Sequence, residues 1–364
     1  MIDSQAYERL RAIGLTPALM QRLATLAPAL AEPVLMRVVE VQREGLTLHD
    51  GHMQHPARLL PALRHALADA GEAIAVGDWV RVERNELAEW WVHERVPPRN
   101  QLARRLHDGR DKVTRAVIVS NVDTALLVMG LDHDFSLRRL ERYVALVQMA
   151  GVTPVVVLTK ADLCADTPAR LAQVRSLLPP QVAVVAVNAQ VDEARKALQP
   201  WLQPGQTLVL LGSSGTGKST LTNTLTHTLT GADVAFVGAN RAGDSRGRHT
   251  TTARSLHATL EGACLIDMPG LRTLRLDGDA EDIGVAFADV AQRAGQCRFR
   301  DCRHDNEPGC AVRGAVPPER LKNYNKLLRE ARRDTLTALE RKQQVQQWKA
   351  IGRQARQRME AKRG

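Results

Sequence analysis

The stretch Thr207-Leu208-Val209-Leu210-Leu211 runs directly into Gly212-Ser213-Ser214-Gly215-Thr216-Gly217-Lys218-Ser219-Thr220. An apolar run, a glycine-rich turn and a helix-like segment follow one another, and the turn has the spacing G-x-x-x-x-G-K-S. Glycines let successive backbone N–H groups face inward and cradle phosphate oxygens. The helix that follows adds the partial positive charge of its N-terminus. Lys218 is expected to span the β- and γ-phosphates of a bound nucleotide, and the Ser219 hydroxyl to hold Mg²⁺.

The sequence on either side repeats the theme. Apolar runs at 125–129, 154–158, 182–187 and 263–266 predict further strands, and residues 137–150 and 168–178 read as helices between them. Wholly apolar strands alternating with helices point to a parallel sheet covered on both faces. Ligands on such sheets sit at the carboxyl ends of the strands, so chemistry is expected just after each run.

Three such places carry it. Thr159-Lys160-Ala161-Asp162 follows the run ending at 158 and has the form of the guanine-reading Asn-Lys-x-Asp of GTPases, with Thr in place of Asn. Asp162 would accept hydrogen bonds from guanine N1–H and the exocyclic amine. Adenine cannot supply these, and a buried carboxylate left unpaired rejects it. Lys160 would lie along the loop and the base, and Asn188-Ala189 could set a backbone N–H against the base oxygen. Asp267-Met268-Pro269-Gly270 has the D-x-x-G form, in which Asp267 holds Mg²⁺ through water and the Gly270 N–H meets the γ-phosphate. The base motif precedes the phosphate loop, whereas most GTPases have the reverse order. The expectation is a circular permutation, which a site built from converging strand ends survives.

The flanks differ in character. Residues 1–32 predict one or two short helices. From Pro33 to about Leu106 short strands between turns predict a small β-barrel, interrupted by a helical stretch at 57–70. Near the other end, Cys297, Cys302, His304 and Cys310 fall within fourteen residues. Three thiolates and an imidazole can complete a tetrahedral Zn²⁺ site with no open position, which is structural rather than catalytic. Cys164 and Cys264 are expected to be buried thiols.

The chain has 364 residues, 44% hydrophobic and 25% charged. This is ordinary globular usage, and no stretch approaches the roughly 18 apolar residues of a membrane span. The start lacks a basic segment followed by an apolar one, so no secretory signal is expected, and the sparse cysteines fit a reducing cytoplasm. The net charge is +10, and residues 320–364 alone hold 14 Lys/Arg against 4 Asp/Glu. The basicity therefore belongs to the C-terminal tail and suggests a polyanionic partner, nucleic acid first.

Taken in order, TKAD, GSSGTGKST, GRHTTT, DMPG and CRFRDCRHDNEPGC resemble the ribosome small-subunit-dependent GTPase A family of circularly permuted GTPases. The resemblance covers roughly residues 33–330. It implies an α/β fold: a permuted P-loop GTPase domain with an N-terminal OB-fold-like barrel and a C-terminal zinc-binding, largely helical module. The expected boundaries are 1–32, 33–110, 111–285, 286–345 and a basic tail at 346–364. The resemblance further implies GTP/GDP, Mg²⁺ and one structural Zn²⁺, with the small ribosomal subunit and its rRNA as partners. A cytoplasmic monomer that hydrolyses GTP and is stimulated by the subunit is expected. The alternatives are a non-catalytic RNA-binding module stabilised by nucleotide, and a P-loop ATPase.

Hydrolysis needs an oriented water and charge neutralisation. Leu271 stands where many GTPases carry a water-orienting Gln. The polar group is therefore expected in 247–252, where His249 would position the water, as the resemblance also implies. Thr250 or Thr251, with Thr251 preferred, would bind Mg²⁺ and sense the γ-phosphate.

Overall fold

The computed structural model describes residues 4–26, 33–42, 45–107, 113–226, 254–268, 283–284 and 286–335. It forms two compact units, one of Met1–Arg104 with Arg115–Asp277 and one of Arg105–Thr114 with Gly278–Gly364. Among the described residues no helix is long and apolar enough to cross a membrane.

The first unit starts with α1 (Ser4–Arg11) and α2 (Pro17–Thr25). The Thr16 hydroxyl caps α2 by accepting the Leu19 N–H at 3.3 Å, and Pro17 supplies a preset φ in its first turn. Leu10 of α1, Leu19 of α2, and Ile13 and Leu15 of the turn between them bury against Trp79 and Val96.

The barrel has five strands: β1 (Val34–Val41), β2 (Leu46–His49), β3 (Gln54–Leu59), β4 (Trp79–Arg84) and β5 (Trp90–Arg95). Pairing runs β1–β2–β3–β5–β4 and back to β1, so the sheet closes on itself and has no free edge. Its interior is aliphatic, with Met36, Val38, Leu48, Val80, Val82 and Val92 buried. The helix expected over 57–70 is shorter. Ala57–Leu59 continue β3 and pair with Trp90–Val92, and α3 (Pro61–Asp69) begins only at a first-turn proline. Leu63 of α3 packs onto the barrel core. After the barrel, β6 (Gln101–His107) and β7 (Val113–Ser120) pair as a two-stranded ribbon.

The sheet that carries the site comprises β8 (Thr124–Gly130), β9 (Thr153–Thr159), β10 (Ala183–Ala186), β11 (Thr207–Leu211), β12 (Ser255–Ala258) and β13 (Cys264–Asp267). In space they lie in the order β10-β9-β8-β11-β13-β12, parallel except for β12. One register pair, Glu40↔Ser255, continues this sheet into the barrel. Four helices connect its strands: α4 (Leu137–Met149), α5 (Thr167–Leu177), α6 (Asp192–Leu198) and α7 (Lys218–Thr226). One core joins Leu126, Val128, Val155, Val157, Leu208 and Leu210 of the strands to Ala194, Leu198, Leu221 and Leu225 of α6 and α7. The chain moves outward from β8 to β10 and then returns to place β11 on the other side of β8. This reversal is a topological switch point, where the loops after two adjacent strands diverge and leave a crevice.

The opposite end of β11 is held differently. Arg37 of β1 is wholly buried, and its guanidinium donates to Ile13 O and, at 2.9 Å, to Thr207 Oγ1, with the Trp79 ring 5.5 Å away. One side chain thus ties the helices, the barrel and the sheet together. Cys264 is buried as expected, which pushes its thiol pKa up, but Cys164 is half-buried because it ends a single exposed turn.

The second unit contains α8 (Ala288–Ala294) and α9 (Pro318–Thr335). Phe287, Val290, Val312, Leu321, Tyr324 and Leu327 form its small apolar interior. Arg320 makes a two-pronged contact with Asp289 (2.8 and 2.6 Å) and lies over the Phe287 ring.

Candidate nucleotide and metal sites

The phosphate-type loop leaves β11 at the switch point and ends in α7. Gly212 is required by space: a Cβ there would stand 2.3 Å from Val128 O. Gly215 and Gly217 both take left-handed φ values, 82° and 90°, which turn the backbone around the cradle. Thr216 is buried and its hydroxyl donates to Ser213 O at 3.0 Å. Ser214 is exposed, while Ser219 and Thr220 lie in the first turn of α7, with Ser219 exposed.

Lys218 opens α7 and curls back so that Nζ donates to Ser213 O at 2.5 Å. Burial pulls its pKa below the ordinary lysine range, and the carboxylates of Asp267 and Asp134 act against that shift. Register explains the position of Asp267: Val209 of β11 pairs with Ile266 of β13, so Asp267 ends its strand beside the strand that feeds the loop.

The base motif follows β9, two strands away, yet it touches the same loop. Thr159 is fully buried, and its hydroxyl donates to Thr216 O at 2.6 Å. Lys160, in the left-handed region at φ 60°, sends Nζ to Gly215 O at 2.8 Å. Asp162 sits exposed in the short turn Ala161–Leu163. The third loop is held from two sides. Val187 O accepts the Ala161 N–H at 3.4 Å, and Ala189 O accepts the Thr224 hydroxyl of α7 at 2.6 Å. Asn188 accepts the Gln190 N–H and so shapes its own turn.

The structure therefore gathers Gly212, Ser213, Gly215, Thr216, Gly217, Lys218, Thr159, Lys160, Asn188, Ala189 and Asp267 at one end of the sheet. His249, Thr250, Thr251 and Gly270 lie outside the described residues. Two neighbours escape the sequence reading. Tyr143 of α4 is buried near Ser213. Asp132, in the loop after β8, contacts Lys160 at 2.6 Å. A lone Asp or Tyr in a helix or turn carries no motif; its place just after an apolar run was the available signal for Asp132.

In the second unit, the ligand atoms of Cys297, Cys302, His304 and Cys310 all lie within 4.8 Å of one another. His304 Nδ1 is 3.6 Å from Cys297 Sγ and 3.5 Å from Cys310 Sγ. Zn²⁺ bonds of about 2.0–2.3 Å in a tetrahedron put ligand atoms roughly 3.5–3.8 Å apart. The N–H groups of Ala311 and Arg313 point at Cys297 Sγ (3.4 Å) and Cys310 Sγ (3.3 Å), the kind of contact that a metal-bound thiolate accepts. The donor set and its spacing fit zinc.

Comparison with known proteins gives the family and the fold. A family model described as RsgA GTPase matches residues 96–277. A protein of Xylella fastidiosa (strain 9a5c) called "Small ribosomal subunit biogenesis GTPase RsgA" is 46% identical over 297 residues, covering 80% of this chain and 84% of that protein. A Xanthomonas campestris pv. campestris (strain B100) protein of the same name is 44% identical, covering 80% and 79%. In fold the chain is similar to the crystal structure of YjeQ from Thermotoga maritima (TM-score 0.59, 22% identity, 82% of this chain and 99% of that one). It is also similar to that of YloQ, described as a circularly permuted GTPase (TM-score 0.57, 22% identity, 85% and 99%). The fold is that of a circularly permuted GTPase, and the chain belongs to the RsgA GTPase family.

Proposed function

We propose that this chain hydrolyses GTP to GDP and phosphate and acts in biogenesis of the small ribosomal subunit, in the cytoplasm and as a monomer. The observation that carries this reading is the direct junction between base motif and phosphate loop, Thr159 to Thr216 and Lys160 to Gly215. Two motifs 50 residues apart in reversed order need such a contact to close over one ligand.

In this reading the backbone of 212–217 wraps the phosphates and the Lys218 ammonium moves from Ser213 O to their oxygens. Asp162 reads the guanine edge, and an N–H of Asn188-Ala189 faces the base oxygen. Thr159 replaces the usual Asn by tying the base loop to the phosphate loop through its hydroxyl. Ser219, Thr251 and Asp267 would hold Mg²⁺, which when bound neutralises developing phosphate charge. His249 orients the attacking water, and Gly270 N–H reports the γ-phosphate. Cys297, Cys302, His304 and Cys310 hold one Zn²⁺, which supplies folding energy and no chemistry.

The remaining assignments follow the same logic. The barrel (33–110) and the zinc module (286–345) flank the GTPase domain (111–285) and grip rRNA. The basic tail (346–364), outside the described residues, adds counterion-release affinity with little sequence preference. Nucleotide state would set that grip, GTP favouring the bound arrangement.

Turnover measured with and without isolated ribosomal subunits tests this. Small subunits should raise a low basal rate, and large subunits should not. Co-sedimentation with small subunits should be stronger with a non-hydrolysable GTP analogue than with GDP. His249→Ala should depress turnover at least tenfold with GTP affinity nearly intact. Equal stimulation by both subunits would reject the assignment.

A further inference from the structure

The loop after β8 (131–136) belongs to no motif, yet the topology delivers it to the nucleotide end of the sheet. Strand β8 lies between β9 and β11, the two strands that feed the base motif and the phosphate loop. Gly130 pairs with Thr159, and the Leu131 N–H donates to Thr159 O at 2.9 Å. The segment therefore starts beside the base motif and flanks the switch-point crevice.

Asp132 uses that position. Its Oδ2 is 2.6 Å from Lys160 Nζ. Its Oδ1 accepts the Asp134 N–H at 2.9 Å, so the carboxylate is fixed before it meets the lysine. The loop is anchored further by Asp134 to Arg139 (2.7 Å) and by Phe135 under the Arg170 guanidinium of α5 (4.5 Å). Lys160 is then held at two points, by a carboxylate on one side and the Gly215 carbonyl of the phosphate loop on the other. A lysine side chain is long and mobile, and with the Gly215 carbonyl alone it would exchange readily with solvent. Both partners keep about a quarter of their side-chain surface exposed (29% and 25%), so such a pair adds little to folding. Its consequence is geometric.

We propose that Asp132 is a positioning residue of the nucleotide site: it locks Lys160 across the base loop and the phosphate loop, and so slows the escape of bound guanine nucleotide. The β8–α4 loop becomes a fourth wall beside the three loops already described. This rests on the reading of 159–162 as the guanine-binding loop.

The test is the dissociation rate of a fluorescent GDP from the full chain and from Asp132→Asn, Lys160→Met and the double variant, followed by stopped flow. Each single variant should release GDP about tenfold faster. Because Asp132 acts through Lys160, the double variant should be no faster than Lys160→Met alone. If Asp132 acted by a route other than Lys160, the two single effects would multiply in the double variant. Release from Asp132→Asn within twofold of the parent, or single effects that multiply in the double variant, overturns the proposal. Asp132→Ala gives the same comparison if Asp132→Asn does not fold. Asp162→Asn, tested in parallel for competition by xanthosine diphosphate, separates two failures. A shift toward xanthosine alongside an inert Asp132→Asn overturns the role of Asp132 alone. No shift overturns the guanine reading and this inference with it.

Discussion

The parallel sheet and the cysteine-histidine module solve the same problem by different means. Both must hold loops rigid enough to present polar groups. In the sheet, fully buried aliphatic strands fix the loop starting points, and short hydrogen bonds such as Thr159 to Thr216 set the rest. The module has one modest apolar cluster around Phe287 and Tyr324, and its residues 297–316 form turns rather than regular elements. Burial suffices for the first; in the second, four side chains that could hold a metal are gathered instead. Where apolar area per residue is small, ligand binding becomes folding free energy.

The largest effect should come from breaking the weaker side. Chelation, or Cys302→Ser, should unfold the module at a cost on the order of 10 kcal/mol of lost metal binding. The sheet should continue to bind GDP. Metal analysis and limited proteolysis read the first claim, and GDP titration the second; a module equally protease-resistant without zinc would erase the contrast. Next, Gly212→Ala attacks the sheet at its tightest approach, where the new methyl meets Val128 O. A loss of about 3 kcal/mol by denaturant titration, together with loss of GDP binding, is expected. An unperturbed variant would mean that the strand end has slack.

The barrel offers a pH test. Burial holds His49 neutral and lowers its pKa to about 4, from an ordinary value near 6.5. The unfolded chain therefore takes up a proton first as pH falls. Stability from this group is present above about pH 6.5 and is lost down to about pH 4. Between pH 7 and pH 5 the difference should be about 2 kcal/mol, and His49→Gln should flatten that slope. The smallest effect should come from Arg320→Ala, which removes the two-pronged contact with Asp289. A loss of about 1–2 kcal/mol is expected in the zinc-loaded module. A much larger loss would give side-chain contacts, rather than metal, the main part in holding it.

Legibility in the sequence follows the same divide. The phosphate loop can be read because its geometry leaves little choice: Gly212 has no room for a side chain, and Gly217 takes a φ that side chains avoid. Apolar runs located the parallel strands because strands buried on both faces have no polar alternation to blur them. Arg37 shows the opposite case. A charged residue in a strand reads as a solvent-facing position, yet it is buried with carbonyl and hydroxyl partners from segments far away in the chain. The end of β3 reads as helix in the sequence because Ala57-Arg58-Leu59 suits either conformation, and only its pairing with Trp90–Val92 decides. Asp132 was silent for a related reason, since its meaning lies in a contact across 28 residues.

The central claim is that one guanine nucleotide spans the phosphate loop and the base loop. A crystal structure of the chain soaked with GDP tests it most directly. The account predicts β-phosphate oxygens against the backbone N–H groups of 215–218, with Lys218 turned toward them, and the guanine edge on Asp162. Density for the base anywhere beyond reach of Asp162, with the phosphates still in the loop, would contradict it.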